Sequence, residues 1–182
     1  AVRHLMEQRL LTESSMLLKL SPPHVFTLPS ERCGTTLVQE AALLPSPFPS
    51  YLQCLISAKA AVNYCSEDVP TALHCVIGSW STQASHDEEY ATCIRILCDN
   101  KADPNLNNAA NLTALEALLK TNIDGECLVR AFVSLLHAGG HVNGFYHGEC
   151  VTSPLHLCSP GVSVYRTNVA RCLLDAKARV NT

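Results

Sequence analysis

Histidine and cysteine stand close together twice in this chain, as His74-Cys75 and as His156-x-Cys158. Imidazole nitrogens and thiolates are ligands that zinc prefers, but a zinc site needs four of them converging, usually as two close pairs. Both pairs occupy equivalent places on predicted helices, where the histidine would form hydrogen bonds near a turn and the cysteine would pack inward. We therefore predict no metal site.

Other reactive residues also favour structural roles. Cys93 and Cys98 are five residues apart, so their side chains diverge on a helix. The carboxylates at 87–89 lie in a polar insertion, whereas a catalytic pair needs a cleft that separates its pKa values. The motifs GxxxxGK[ST], HExxH, GxSxG and GxGxxG are absent from the sequence. We predict a protein that is not an enzyme and uses no cofactor. A thiol- or metal-dependent activity remains an alternative, and Cys65 and Cys150 are expected to be exposed in turns.

Composition sets the broad class. The chain has 182 residues, 47% of them hydrophobic, which predicts one domain or one continuous array. A net charge of −3 gives no electrostatic reason to expect nucleic acid or an anionic membrane as partner. The ten cysteines lie mostly in apolar runs, which indicates reduced thiols and a cytoplasmic or nuclear location. No apolar run is long enough to span a membrane. The chain starts without Met and stops within a repeated phrase, so we expect a fragment.

Two short phrases recur along the chain at nearly constant intervals. The first ends in asparagines separated by 42, 38 and 38 residues, and it reads AKAAVN (58–63), NKADPN (100–105), AGGHVN (138–143) and AKARVN (176–181). The second reads TTLV (35–38), TALH (71–74), TALE (113–116) and SPLH (153–156). A period near 40 with turns of almost fixed length predicts repeats that bury their apolar faces against one another.

Each phrase predicts one end of a helix. Thr71, Thr113 and Ser153 are predicted N-caps, because a side-chain oxygen there accepts hydrogen bonds from the first free N–H groups. Pro154 would then be the first helical residue. The runs before the asparagine phrases have helical spacing, and Gly139 is a residue that ends helices readily. The sequence therefore predicts an all-α fold.

The order helix, turn, helix and projecting turn resembles the ankyrin repeat. SPLHLC and TALHCV resemble the opening of its first helix, and LLDAKARVN, LLHAGGHVN and ILCDNKADPN resemble the close of its second. The resemblance covers residues 31–182. It implies a solenoid of stacked helix-turn-helix units with projecting β-turn or hairpin loops, divided at about 31–66, 67–108, 109–146 and 147–182. We interpret residues 1–30 as a degenerate repeat or an N-terminal capping helix.

The chain departs from the ankyrin pattern in three ways. The glycine that closes the second helix in that family is replaced by Lys59, Lys101 and Lys177. The histidine of the opening phrase is replaced by Val38 and Glu116. The stretch GSWSTQASHDEEY, which contains Trp80, exceeds the family length and is expected to loop out between helices.

The resemblance implies a non-catalytic protein-protein interaction module that binds a partner protein on a concave face of turns and first helices. The stretch NGFYHGEC (143–150) is a longer turn whose aromatic residues suit a binding hot spot, or alternatively fold back on the neighbouring turn. The mixed polar and acidic turns favour a polypeptide over a small-molecule substrate. An alternative is the substrate-receptor part of a cullin-type ubiquitin ligase adaptor. The predicted partner-binding residues are Tyr64, Glu67, Asp68, Asn107, Asn108, Phe145, Tyr146, His147 and Glu149.

Overall fold

The computed structural model describes residue 29 and the ranges 34–44, 49–82, 86–143, 145–147, 150–152, 154–158 and 163–177. The predictions for Ser153, for Glu149 and for nearly all of segment 1–30 lie outside these residues. Within them, eight α-helices and one β-hairpin form, which confirms the all-α class. The helices are α1 Leu37–Ala42, α2 Pro49–Ser57, α3 Ala72–Thr82, α4 Asp87–Asp99, α5 Ala114–Leu119, α6 Glu126–His137, α7 Pro154–Leu157 and α8 Val164–Asp175.

The helices pack in two rows. The first row contains α1, α3, α5 and α7, and each of them contacts the next odd-numbered helix. The second row contains α2, α4, α6 and α8, which contact one another in the same order. Each first-row helix also packs on its second-row neighbour in sequence, so consecutive helices form pairs. One pair falls within each of the four predicted blocks, whose boundaries remain predictions.

Threonine N-caps begin the first-row helices α3 and α5. Thr113 caps α5 with a reciprocal capping box that includes Glu116, and Thr71 accepts the backbone N–H of His74 at 3.5 Å. Both N-cap predictions are confirmed, and Pro154 is the first residue of α7. The two threonine side chains thus satisfy free backbone N–H groups in the first turns of α3 and α5.

The first helix starts one residue later than the phrase TTLV predicted. Its N-cap is Thr36, which forms a capping box with Gln39. The position equivalent to His74 is therefore Gln39, and assigning it to Val38 was wrong. Val38 is instead fully buried in the core, because the shift by one residue turns it inward.

Each second-row helix is followed, two residues after its end, by a residue with left-handed backbone geometry. Gly139, two residues after α6, has φ +92°. Lys59, Lys101 and Lys177 hold the same place after α2, α4 and α8, with φ of 67°, 66° and 65°. A side chain in this region costs about 1–2 kcal/mol. The chain therefore keeps the turn geometry without the glycine that favours it.

The expectation that GSWSTQASHDEEY loops out was wrong. Helix α3 continues to Thr82, and α4 begins at Asp87, so most of this stretch is helical. Trp80 is 1% exposed and stacks on Tyr90, with ring centroids 6.0 Å apart. Its indole Nε1 donates to Asp87 Oδ1 at 2.8 Å. Burial of two aromatic rings stabilises the longer helices, and the acidic residues 87–89 lie in the first turn of α4, where the helix dipole favours them.

Arg166 on α8 binds the end of α5. Its guanidinium donates to the carbonyl oxygen of Leu119 at 2.8 Å and of Ile123 at 3.1 Å, and also to that of Thr121. These carbonyls lie at or just after the α5 C-terminus, where intrahelical donors run out. A residue of the fourth helix pair thus caps a helix of the third.

Candidate functional site

Asparagine side chains align the turns of successive helix pairs. Asn63 Nδ2 donates to the carbonyl oxygen of Lys101 at 2.9 Å, and Asn63 Oδ1 accepts the N–H of Asp103 at 2.8 Å. One amide thus bonds to the backbone on both sides of Ala102, the residue that follows the left-handed Lys101. The turn at 58–63 is held beside the turn at 100–105.

The same arrangement recurs one unit further along. Asn105 Nδ2 donates to the carbonyl oxygen of Gly139 at 3.0 Å, and Asn105 Oδ1 accepts the N–H of His141 at 2.9 Å. The repeated asparagine is therefore a structural residue that sets the spacing of the turns. This accounts for its near-constant interval in the sequence.

A second set of bonds runs forward from the first-row helices. Gln39 Nε2 donates to the carbonyl oxygens of Tyr64 and Pro70, at 2.9 and 2.7 Å. Its Oε1 accepts the N–H of Thr36 at 2.7 Å. Gln39 is 1% exposed, so this buried amide fixes the 64–70 turn against the start of α1.

His74 does the same work in the next unit, as predicted. Its Nδ1 lies 2.8 Å from Thr71 Oγ1, and its Nε2 lies 2.9 Å from the carbonyl oxygen of Leu112. Burial lowers the pKa of His74, so the ring is neutral near pH 7. Because a carbonyl only accepts, the proton belongs on Nε2, and Nδ1 accepts from the Thr71 hydroxyl.

The second histidine-cysteine pair differs from the first. Cys158 is 4% exposed, matching the buried Cys75, but His156 is exposed. The expectation that the two histidines are equivalent is therefore wrong with respect to burial: His74 is buried and His156 is exposed.

The predicted partner-binding residues divide by exposure. Glu67, Asp68 and Asn107 are exposed, whereas Tyr64 and Asn108 are half-buried. Asn107 Nδ2 donates to Asn111 Oδ1 at 2.7 Å. Asn108 Oδ1 accepts the N–H groups of Ala110 and Leu112, both at 3.0 Å, so this amide oxygen stabilises its own turn.

The stretch predicted as a long aromatic turn contains two strands. Strand β1 is Phe145–His147, and strand β2 is Cys150–Thr152. They pair antiparallel, with Phe145 opposite Thr152, Tyr146 opposite Val151 and His147 opposite Cys150. Cys150 thus lies in a strand and not in a turn. The sequence predicted a β-turn or hairpin loop here, and the two strands pair as a hairpin.

A groove of about 470 Å³ lies along the first row, beside the 64–70 turn. Helix α3 contributes one face to it, and Thr35 and Leu43, which flank α1, also line it. The lining residues are Thr35, Leu43, Asp68, Val69, Pro70, His74, Cys75, Gly78, Ser79 and Thr82. Sequence reasoning found Asp68 but missed the groove. The spacing of His74, Gly78 and Thr82 by four residues was the signal that a single helix face carries small or polar side chains.

The second row carries a charged cluster between α4 and α6. Arg130 Nη1 donates to Glu88 Oε1 at 2.8 Å, and Arg130 Nη2 donates to Glu88 Oε2 and, at 3.1 Å, to Cys127 Sγ. The hydrogen bond from Arg130 lowers the pKa of Glu88, whereas burial raises that of Cys127. Both charged groups are exposed, and such pairs typically contribute about 1 kcal/mol or less. The cluster links two helices on the face away from the groove.

Burial disfavours the thiolate form of four cysteines. Burial raises the pKa of Cys75, Cys93 and Cys98 to about 12 and that of Cys158 to about 11. A neutral thiol is a poor nucleophile and a poor metal ligand. Cys65 is exposed, as predicted. Among the described residues, no group of three or more His, Cys, Asp or Glu side chains is arranged to hold a metal ion.

Comparison with models of known protein families gave no match, and comparison with curated proteins gave none. Within the described part of the chain, every helix is too short or too polar to cross a membrane.

Proposed function

We propose that this chain is an ankyrin-type repeat solenoid that acts as a non-catalytic protein-protein interaction module. Its partner is a protein, bound on the surface made by the first-row helices and the turns that precede them, which we call the turn face. The observation that carries this proposal is the double hydrogen bond of Asn63 and of Asn105 to the following turn. Turns held side by side in this way form one continuous surface along the array.

The chemistry of the turn face supports a polypeptide partner. Glu67, Asp68 and Asn107 are exposed, and the backbone beneath them is fixed by Gln39 and His74. A surface that is already ordered loses little conformational entropy on binding. Polar and acidic side chains over an apolar groove resemble the mixed character of protein interfaces more than a closed small-molecule pocket.

Free thiols support a proposed cytoplasmic or nuclear location. Eight of the nine cysteines in the described ranges are free thiols, which fits a reducing compartment such as the cytoplasm or nucleus.

The test is capture of partners from cell extract by the immobilised chain, followed by mass spectrometry and direct binding measurements with the purified partner. One variant replaces Phe145, Tyr146 and His147 with alanine, and a second replaces Glu67 and Asp68. The control replaces Arg95 and His137, which lie on the second row. We expect both turn-face variants to lose partner and the control to retain it.

Circular dichroism of each variant verifies that the fold is intact. Equal recovery of the same partner by all variants would contradict the proposal, and so would loss confined to the second-row control.

A further inference from the structure

The groove beside α3 has the dimensions of a short extended peptide. His74, Gly78 and Thr82 lie along it at successive turns of α3. Eight residues of helix span about 12 Å. An extended chain rises about 3.3 Å per residue, so the groove accommodates about four residues of peptide.

The middle of the groove is apolar and open. Leu43, the residue after α1, is 50% exposed and lines the groove with an apolar side chain. Gly78 is exposed, and a Cβ built on it meets no atom within 4 Å. A helix-interior glycine costs about 1 kcal/mol relative to alanine. The chain thus leaves space over Gly78 at a cost in helix stability.

The rest of the groove floor carries no charge near neutral pH. His74 has both ring nitrogens engaged with Thr71 and Leu112, and burial keeps it neutral. Cys75 is a buried neutral thiol for the same reason. An aliphatic side chain placed here would therefore displace water without leaving a buried charge unpaired.

The mouth of the groove is acidic. Among the described residues that line it, Asp68 is the one with a formal charge, and the exposed Glu67 precedes it in the turn. Glu40 on α1 accepts a hydrogen bond at 3.0 Å from Thr35, which also lines the groove. Lysine and arginine are absent from the described lining, so the local potential favours a cationic partner.

We propose that this groove binds an extended segment of the partner protein that carries an aliphatic residue next to a lysine or arginine. The aliphatic side chain fills the space over Gly78 against Leu43, and the cationic side chain pairs with Asp68. This inference rests on the proposed function and deepens it by defining the partner's chemistry.

The experiment uses amide NMR spectra of the full chain, titrated with three hexapeptides that differ only in their central pair. The pairs are Leu-Arg, Leu-Glu and Ser-Arg, flanked by glycine and serine. Peptide concentrations up to about 5 mM detect dissociation constants in the millimolar range. We expect shifts of the groove amides 68–82, with Leu-Arg binding more tightly than either of the other two.

Three variants separate the contacts. Asp68→Asn should raise the dissociation constant of the Leu-Arg peptide about two- to fivefold and reduce the difference in affinity between the Leu-Arg and Leu-Glu peptides. Gly78→Leu should abolish binding of the leucine peptides, because its side chain occupies their space. Gly78→Ala should narrow the groove without harming the fold, and Gln53→Leu, on the exposed side of α2, is the matched control that should bind normally.

Several results would overturn the inference. Equal affinity for the Leu-Arg and Leu-Glu peptides would do so, and so would normal peptide binding by a folded Gly78→Leu variant. Absence of chemical-shift changes at residues 68–82 would also contradict it. Concentration-dependent shifts of these residues without peptide would instead assign the groove to a second copy of the chain. If Gly78→Leu retains the captured partner while the 145–147 alanine variant loses it, the groove inference fails and the proposed function stands. If Gly78→Leu and both turn-face variants retain it, both fail.

Discussion

Replacing Lys101 with glycine should stabilise the protein. Lys101 has φ +66° after α4, in a region that costs a side-chain-bearing residue about 1–2 kcal/mol. Its side chain is exposed, so truncation removes little packing. Glycine loses about 0.5–1 kcal/mol more backbone entropy on folding. The difference predicts a gain of about 0.5–1 kcal/mol in the free energy of unfolding.

The measurement is urea-induced unfolding followed by circular dichroism. Lys101→Gly should raise the midpoint without changing the slope, because the surface exposed on unfolding is the same. In a thermal scan this gain corresponds to a rise of about 1–4 °C for a chain of this size.

Two control variants identify the cause. Lys101→Ala keeps the Cβ and therefore the strain, so its stability should match that of the original chain. Gly139→Ala introduces a Cβ at φ +92° and should destabilise. The reasoning is refuted if alanine at 101 stabilises as much as glycine does, or if glycine there lowers the midpoint.

Four further predictions test the described contacts and thiols. Gln39→Glu should lower the free energy of unfolding by about 2–4 kcal/mol in urea, because a buried carboxylate would face two carbonyl oxygens. Gln39→His should lower it less, and equal losses for the two variants would contradict this reasoning. Asp87→Ala should cost about 1–3 kcal/mol in the same assay by leaving the buried Trp80 N–H without an acceptor, and Asp87→Asn should cost less. Stability should fall as pH rises above about 9, because unfolded thiols ionise there while the pKa of Cys75 is about 12 in the folded state; a flat profile from pH 8 to 11 would be the contrary result. In native protein Cys65 should react with a thiol reagent before Cys75 does, as mass spectrometry of the labelled peptides would reveal.

The fold class was predictable because its signals are local. Thr71 and Thr113 begin helices through hydrogen bonds within three residues, and the asparagine phrases mark the helix ends. The start of α1 was displaced by one residue because Thr35 and Thr36 are chemically identical candidates. The choice between them depends on Gln39 reaching the following turn, a contact that no local pattern contains.

The missed features depend on long-range packing. The polar stretch around Trp80 resembles a loop by composition, whereas the stacking of Trp80 on Tyr90 and its hydrogen bond to Asp87 stabilise two helices there. The groove was missed because Gly78 contributes open space above the helix, and the sequence alone does not show which glycines have such space around them. The sites that involve one residue and its own turn were predictable, whereas those formed between helices were not.

The three carbonyl oxygens held by Arg166 have a consequence for dissecting the molecule. A truncation at the boundary between two repeats would therefore remove contacts that the remaining repeat needs. A chain truncated after α6 would lack Arg166, so water would have to replace it at the three carbonyl oxygens. A third helix pair moved into another protein would likewise need Arg166 from the fourth pair. Modular exchange in this protein therefore demands pairs of neighbouring units.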